Sequence, residues 1–467
     1  MGETNMKEIN NIILQGETPS SILCTSSMDM MTKECNIEPV KYKEEVEIPK
    51  LSFVDDLVDI HECGLKTKEM NKYTSDAIDR RRLHLAVDKC HRIHVSRTRT
   101  ENECEAIYIN DWEEASNKNA RDVLKGKTEI KTVERQEYLG SIISNDGKND
   151  WNVSSKCSKG QGIVNDIISI LDNIYFGDSH FEALVLLRDS LLHSVLLHDI
   201  EVLHNLSSRN IKRLESLDHQ LLRRALATSP KASIIIIMLE LAICPLSFLI
   251  SKKRVLYYHH LLSSDDNLAK NVLLRQMSDP VRGDFITYVK DDLQISNLHS
   301  LSAEQISTYS KGQFKNLVSK RTKAAAFAYL IDQKQKLKKC NFIQYNDTFK
   351  MAKYLKSGSR ISKTLSQQIF SIRSENLEVA ENFPRKYQEN IKCIHENCLG
   401  TDGQKHLFES CLFFQNSSMI LEEVIPYEAV FSDNLKHHSF INMQIMNAYT
   451  KHCKYISLTK RRDPEEP

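Results

Sequence analysis

Two groups of residues have the types and spacing for chemistry. The first is the adjacent pair Asp55-Asp56, set in the apolar run from Leu51 to Ile60. Two carboxylates at a bend between short apolar strands present hard oxygen ligands to Mg²⁺, which takes one or two carboxylates together with substrate phosphates. Paired ions of that kind drive phosphoryl transfer during nucleotide addition. The same pair also fits a solvated turn with no metal. The second group is Cys393-x4-Cys398-x7-His406-x4-Cys411. Three thiolates and one imidazole make a closed tetrahedral set for Zn²⁺. Gly400 and Gly403 allow a tight loop between the ligand pairs, and His395 is a spare nitrogen that can compete. Free cysteines beside a surface histidine would give the same string without an ion.

The acidic pair needs a hairpin to hold it, and Pro49 to Phe53 and Leu57 to Ile60 read as its two strands. Further strand candidates are Leu83 to Val87, Arg92 to Val95, Ala106 to Asn110, Glu129 to Val133 and Tyr138 to Ile143, with a turn at Asp146-Gly147. In the first of these, Leu83, Leu85 and Val87 alternate with His84 and Ala86, as in a half-buried strand. Met70, Tyr73, Ala77 and Ile78 recur at three-to-four spacing and predict a helix over Thr67 to Asp79. Beyond Asp150 the pattern is helical. Leu184, Leu187, Leu191, Leu192, Val195 and Leu196 form one stripe; Ile211, Leu214, Leu217, Leu221 and Leu222 form another. Lys212, Arg213, Arg223 and Arg224 flank the second. Ile234 to Ile250 is apolar but contains Glu240 and Pro245 and is shorter than the roughly 20 clean residues a membrane span needs. It reads as two buried helical segments.

Ser302-Ala303-Glu304-Gln305 fits a capping box and a helix start. The stretch after it is basic: Lys311, Lys315, Lys320, Arg321, Lys323, Lys334, Lys336, Lys338 and Lys339 face only Asp332. Phe314, Phe327 and Tyr329 interleave, with Tyr309 just before. Such cations neutralise phosphates, and such aromatics can stack on unpaired bases. A solvated helix face has the same composition.

Four short stretches occur in a telling order: Gln15-Gly16 followed by Thr18-Pro19-Ser20, Phe53-Val54-Asp55-Asp56, Leu83 to Cys90, and Tyr138-Leu139-Gly140-Ser141. In that order and rough spacing they resemble the later palm motifs of a reverse transcriptase, most closely those of non-LTR (LINE-type) retrotransposons. The resemblance implies that Asp55 and Asp56 are catalytic carboxylates binding Mg²⁺. It implies that Gln15 and Gly16 line the nucleotide pocket. Lys89 would lie near the triphosphate at a strand end, and Tyr138-Leu139-Gly140 would form the primer-grip hairpin region. The helices to about residue 295 correspond to the thumb, and the Cys/His string to the zinc element that follows the polymerase in many such proteins. With a complete site, a primer 3′-hydroxyl would attack the α-phosphate of a dNTP. The chain departs from the family in having Val54 where Ala is commoner and in the first cysteine spacing. The family's first catalytic Asp, on an earlier palm strand, has no counterpart among the fourteen residues before Gln15, and the fingers are missing as well. The expectation is an N-terminally truncated polymerase with an incomplete active site.

The 467 residues suffice for two or three domains with their own cores. With Gly at 14 and Pro at 10, against typical usage of roughly 7% and 5%, the chain should be largely helical. Its 63 basic and 62 acidic residues exclude an overall electrostatic claim on nucleic acid, so any such contact is local. Twelve cysteines and a polar N-terminus with no signal peptide place it in the nucleus or cytoplasm, not secreted and not in a membrane. The fold class expected is α+β: a partial right-hand palm over 1–148, a helical thumb-like region over 149–298, a basic helical region over 299–380, a zinc-knuckle-like module over 381–420 and a tail over 421–467. The implied partner is an RNA/DNA template-primer. Two functions are expected: a fragment or remnant of an RNA-directed DNA polymerase, inactive alone, or a non-enzymatic nucleic-acid-binding protein using the thumb-like helices, the basic region and the knuckle.

Overall fold

The structure is a computed structural model that describes residues 39–48, 51–53, 56–60, 64–80, 85–95, 106–113, 123–203, 205–230, 232–265, 267–337, 348–375, 393, 398, 400, 403–409 and 431. Gln15, Gly16, Asp55 and Cys411 lie outside the described residues. The chain is α+β and mostly helical. Its strands are β1 (Val40–Tyr42), β2 (Val46–Ile48), β3 (Leu51–Phe53), β4 (Asp56–Val58), β5 (His91–Arg92), β6 (Tyr108–Glu113), β7 (Val123–Glu129), β8 (Lys131–Thr132), β9 (Arg135–Tyr138) and β10 (Ser141–Ser144). The helices begin with α1 (Gly64–Arg80), α2 (Asp150–Asn173), α3 (His180–Leu187), α4 (His193–Leu196) and α5 (Ser208–Ala225). They continue with α6 (Ile234–Leu241), α7 (Leu246–Ser263), α8 (Leu268–Ser278), α9 (Phe285–Ile295), α10 (Ala303–Thr308), α11 (Lys311–Gln335), α12 (Lys363–Arg373) and α13 (Gln404–Glu409). The described residues divide into two compact units, within Met1–Trp151 plus Ser264–Ile286 and within Asn152–Ser263 plus Thr287–Pro467.

In the first unit, the described strands pair two by two: β1 with β2, β3 with β4, β6 with β7 and β9 with β10 antiparallel, and β5 with β8 parallel. Short ladders with little buried face have nothing to recruit further strands; both residues of β8 are exposed. One buried apolar cluster among the described residues here is small: Ile107, Ile109 and Ile130, with Leu85, Val87 and Cys90 packed against it. That cluster explains why the expected strand Leu83 to Val87 is not one. Leu83 and His84 lie outside the described residues, and Val87–Lys89 is a 3-10 turn. In a strand, Cys90 would face away from Leu85 and Val87; the turn brings all three to one side. Tyr138 to Ile143 is likewise two strands rather than one. Leu139 (φ 49°) and Gly140 (φ 82°) both sit in the left-handed region, as a two-residue type I′ hairpin requires, so Tyr138 faces Ser141. Helix α1 buries Thr74, Ser75, Ala77 and Ile78, while Tyr73 points outward, 54% exposed. Asn110 Nδ2 donates to Asp79 Oδ2 at 2.6 Å and ties α1 to β6. The β1–β2 turn is fixed by Lys43, whose ammonium lies 2.9 Å from Asp284.

The second unit holds the main core, and both predicted leucine stripes enter it. Leu184, Leu192 and Leu196 from one, and Leu214, Leu217, Leu221 and Leu222 from the other, are buried. The first stripe is not a regular helix: Arg188–Leu192 is a π-turn between α3 and α4. Gly160 lets α2 approach this pair closely, since a Cβ there would stand 3.0 Å from Leu196 Cδ2 and 3.1 Å from Leu217 Cδ1. Ile234 to Ile250 is two helical segments, as its Glu240 and Pro245 predict: α6 and the start of α7, bent by 59°. No single helix among the described residues is long and apolar enough to cross a membrane. Glu240 is buried and paired with Arg373 of α12 at 3.0 Å. The predicted capping box is present, Ser302 and Gln305 bonding each other's backbone, and α11 has a second at Ser310 and Gln313.

Candidate metal centre

The geometry of the Cys/His string is built outward from α12. Leu365, Ile369, Phe370 and Ile372 bury one side of that helix in the core. The Gln404 amide, itself buried, donates from Nε2 to the Ile372 carbonyl at 3.1 Å. Gln404 opens α13, and His406 stands two residues on. Gly400 closes the arrangement. Its carbonyl accepts the Cys393 N–H at 2.9 Å, and its Cα lies so near the His406 imidazole that any Cβ would collide with the ring. Gly400 is therefore needed for close approach rather than for a turn with positive φ.

Cys393, Cys398 and His406 converge, with one ligand atom of each lying within 4.8 Å of the others. Cys398 Sγ is 3.1 Å from His406 Nε2. A tetrahedral Zn²⁺ with bonds of about 2.3 Å to sulfur and about 2.0 Å to nitrogen sets its donors roughly 3.5–3.8 Å apart. The observed spacing brackets that value. Two soft sulfurs and an imidazole form the donor set that suits zinc, so these residues fit the ion. The thiolates and imidazole would hold it and it would supply a structural cross-link between the loop and α13.

Of the other predicted site residues, Asp56 and Lys89 are described, while Gln15, Gly16 and Asp55 lie outside the described residues. Asp56 opens β4 opposite Phe53, so a two-stranded hairpin does flank the acidic pair. Lys89 is exposed at the end of the 3-10 turn, not at a strand end. On α11, Lys311, Lys315, Lys320, Arg321 and Lys323 are exposed. Lys336 pairs with Asp332, and Lys338 and Lys339 lie outside the described residues. Of the interleaved aromatics, Phe314 is buried and Phe327 half-buried, while Tyr329 is exposed. Phe314, Val318, Thr322, Ala326 and Leu330 form a buried stripe repeating every four residues. Phe314 stacks on His259 at 4.4 Å between centroids, Phe327 leans on Phe349, and the partly exposed Tyr329 tilts against Phe248. Three of the four cations flanking the second leucine stripe are also engaged. Arg213 donates to Ser154, Arg223 to the Ala232 carbonyl and Arg224 to Asn165.

Two further groups had a sequence signal. Arg188 falls midway between Leu184 and Leu192, and Asp218 midway between Leu214 and Leu222, each on an apolar stripe. They meet as a bidentate pair, Nε and Nη2 donating at 2.6 and 2.7 Å. Burial works against the Asp218 carboxylate, but the Arg188 guanidinium beside it holds the carboxyl far below its usual range. His193 sits between two carboxylates, Asp218 at 3.2 Å and Asp189 at 3.3 Å. Burial alone would lower its pKa; the bonds to Asp189 and Asp218 outweigh that and raise it. With a carboxylate on each ring nitrogen, His193 is an ion-pair partner rather than a general base. No protein-family model, curated protein or solved structure matches the chain.

Proposed function

We propose that the chain is a zinc-bearing nucleic-acid-binding protein related to the polymerases of LINE-type retrotransposons. The observation that carries this reading is the convergence of Cys393, Cys398 and His406 at the place where the motif order puts that family's zinc element. Helix α11 supplies the second support, with five exposed cations distributed around it. On this reading, residues 1–148 derive from a palm, 149–298 from a thumb, and the binding partner is an RNA/DNA template-primer. Cys411 is the fourth zinc ligand. The protein acts in the nucleus or cytoplasm.

The test is binding of single-stranded RNA and DNA at rising salt. Five phosphate contacts on a single strand give a log–log slope of about −3.5, or about a hundredfold weakening between 50 and 200 mM salt. Replacing Lys320, Arg321 and Lys323 by Gln should flatten the slope by about 2. Salt-insensitive binding, or none, refutes the reading.

A second reading is nucleotidyl transfer at Asp55 and Asp56 with Mg²⁺, with Gln15, Gly16 and Lys89 toward the nucleotide. The pairing of Phe53 with Asp56 favours it, because it frames the acidic pair in a hairpin. Metal-dependent primer extension that is lost in Asp55→Asn would support it; absence of extension, or extension surviving the substitution, removes it.

A further inference from the structure

We propose that Gln404 couples metal occupancy at Cys393, Cys398 and His406 to the order of α12, so that the metal element and the helical core behave as one cooperative body. This rests on reading the cluster as a zinc site.

The argument begins with α13, which is six residues long. Helices much shorter than about 12 residues do not hold themselves together in water. The order of α13 must therefore be supplied from outside, and two supports stand two residues apart on it. One is His406, which a metal would fix. The other is Gln404, 3% exposed although glutamine is a surface residue by preference, with its amide on the Ile372 carbonyl. On a single turn of helix, fixing either residue fixes the other. Gly400 extends the link to the rest of the ligand set: it carries the Cys393 N–H on its carbonyl and the His406 ring against its Cα.

The other end of the linkage is firm. Ile372 lies in the last turn of α12, between Phe370 and Arg373. Arg373 is buried, 3.0 Å from the buried Glu240, with its guanidinium over the Tyr354 ring. Metal binding thus pulls on a turn that is already anchored in the core, and the anchored turn presents His406 to the metal. Coupling between two sites is reciprocal. Zinc tightens the end of α12, and loss of the Gln404 bond weakens zinc by the same factor. Groups that orient a ligand from behind are typically worth 10–100-fold in metal affinity; a single neutral amide bond places the effect near the lower end, about tenfold.

The experiment uses the full chain. Co²⁺ titration, read by its thiolate charge-transfer and d–d bands, gives affinity and ligand set. Hydrogen exchange over residues 363–375, with Zn²⁺ and after chelation, gives the order of α12. In the unsubstituted protein Zn²⁺ should slow that exchange. Gln404→Ala and Gln404→Leu should show the same Co²⁺ bands at about tenfold weaker affinity, with the Zn²⁺ protection of 363–375 lost. The leucine side chain keeps most of the volume but has no hydrogen to donate, so the Leu variant separates the hydrogen bond from packing. If Zn²⁺ leaves the exchange of the unsubstituted protein unchanged while the Co²⁺ bands report a bound ion, the coupling is refuted and the metal site stands. The same holds if Gln404→Leu binds and protects as the unsubstituted protein does. If no Co²⁺ bands form, the metal site fails and the coupling with it.

Discussion

Asp218→Ala isolates what the buried charge network contributes to the helical unit. Asp218 has no exposed surface and Arg188 is 1% exposed, so removing the carboxylate leaves a guanidinium in the core. The counter-charge remaining within reach is Asp189, 55% exposed and 3.0 Å from Arg188. Breaking a buried pair from one side costs about 3–5 kcal/mol, a fifth or more of the stability of a domain held by about 5–15 kcal/mol. With a urea slope of about 3 kcal/mol/M, the unfolding midpoint should fall by roughly 1–1.7 M at unchanged slope. The assay is urea denaturation of the full chain followed by far-UV circular dichroism. Arg188→Met combined with Asp218→Leu should recover most of the loss, because apolar residues of similar volume leave no stranded charge. A cost below about 1 kcal/mol for Asp218→Ala would refute the reasoning. So would a double replacement as unstable as the single, since the loss would then not come from an uncompensated cation.

Two further outcomes follow from the same geometry. Gly400→Ala should abolish high-affinity Zn²⁺ uptake, measured as bound zinc per chain, because its Cβ cannot share space with the His406 ring; uptake equal to that of the unsubstituted protein would contradict the placement of that ring. His193, whose pKa is raised by Asp189 and Asp218, contributes stability that is full below its unfolded pKa of about 6.5 and is lost as pH rises through the folded value. The stability difference between the unsubstituted protein and His193→Gln should therefore be larger at about pH 6 than at about pH 9; a difference that grows with pH would reverse the assignment.

Local signals account for much of what the structure shows. Ser302 and Gln305 lie three residues apart, so their reciprocal bonds need no tertiary partner. Glu240 and Pro245 break an apolar run, and the chain bends there. The leucine stripes name the buried faces of α3, α4 and α5 because burial of an amphipathic helix follows its period. The misreadings have physical causes too. Tyr138 to Ile143 reads as one strand because Leu is a rare residue at positive φ, yet Leu139 takes that conformation to close the hairpin. Phe314 reads as part of a basic, aromatic surface because lysines surround it, although it belongs to a stripe of spacing four with Val318, Thr322, Ala326 and Leu330 that turns inward.

The sequence by itself determined which residue types could bind metal, that a helix starts after Ser302, and which faces of α3, α4 and α5 are apolar. All of these depend on neighbours within a few positions. The tertiary structure decided the pairings. Arg373 meets Glu240 across 133 positions, Arg188 meets Asp218 across 30, and Gln404 finds the Ile372 carbonyl across 32. A buried charge or amide must be matched by whatever group the packed core brings to it. That choice rests on how the helices cross, which no local pattern encodes.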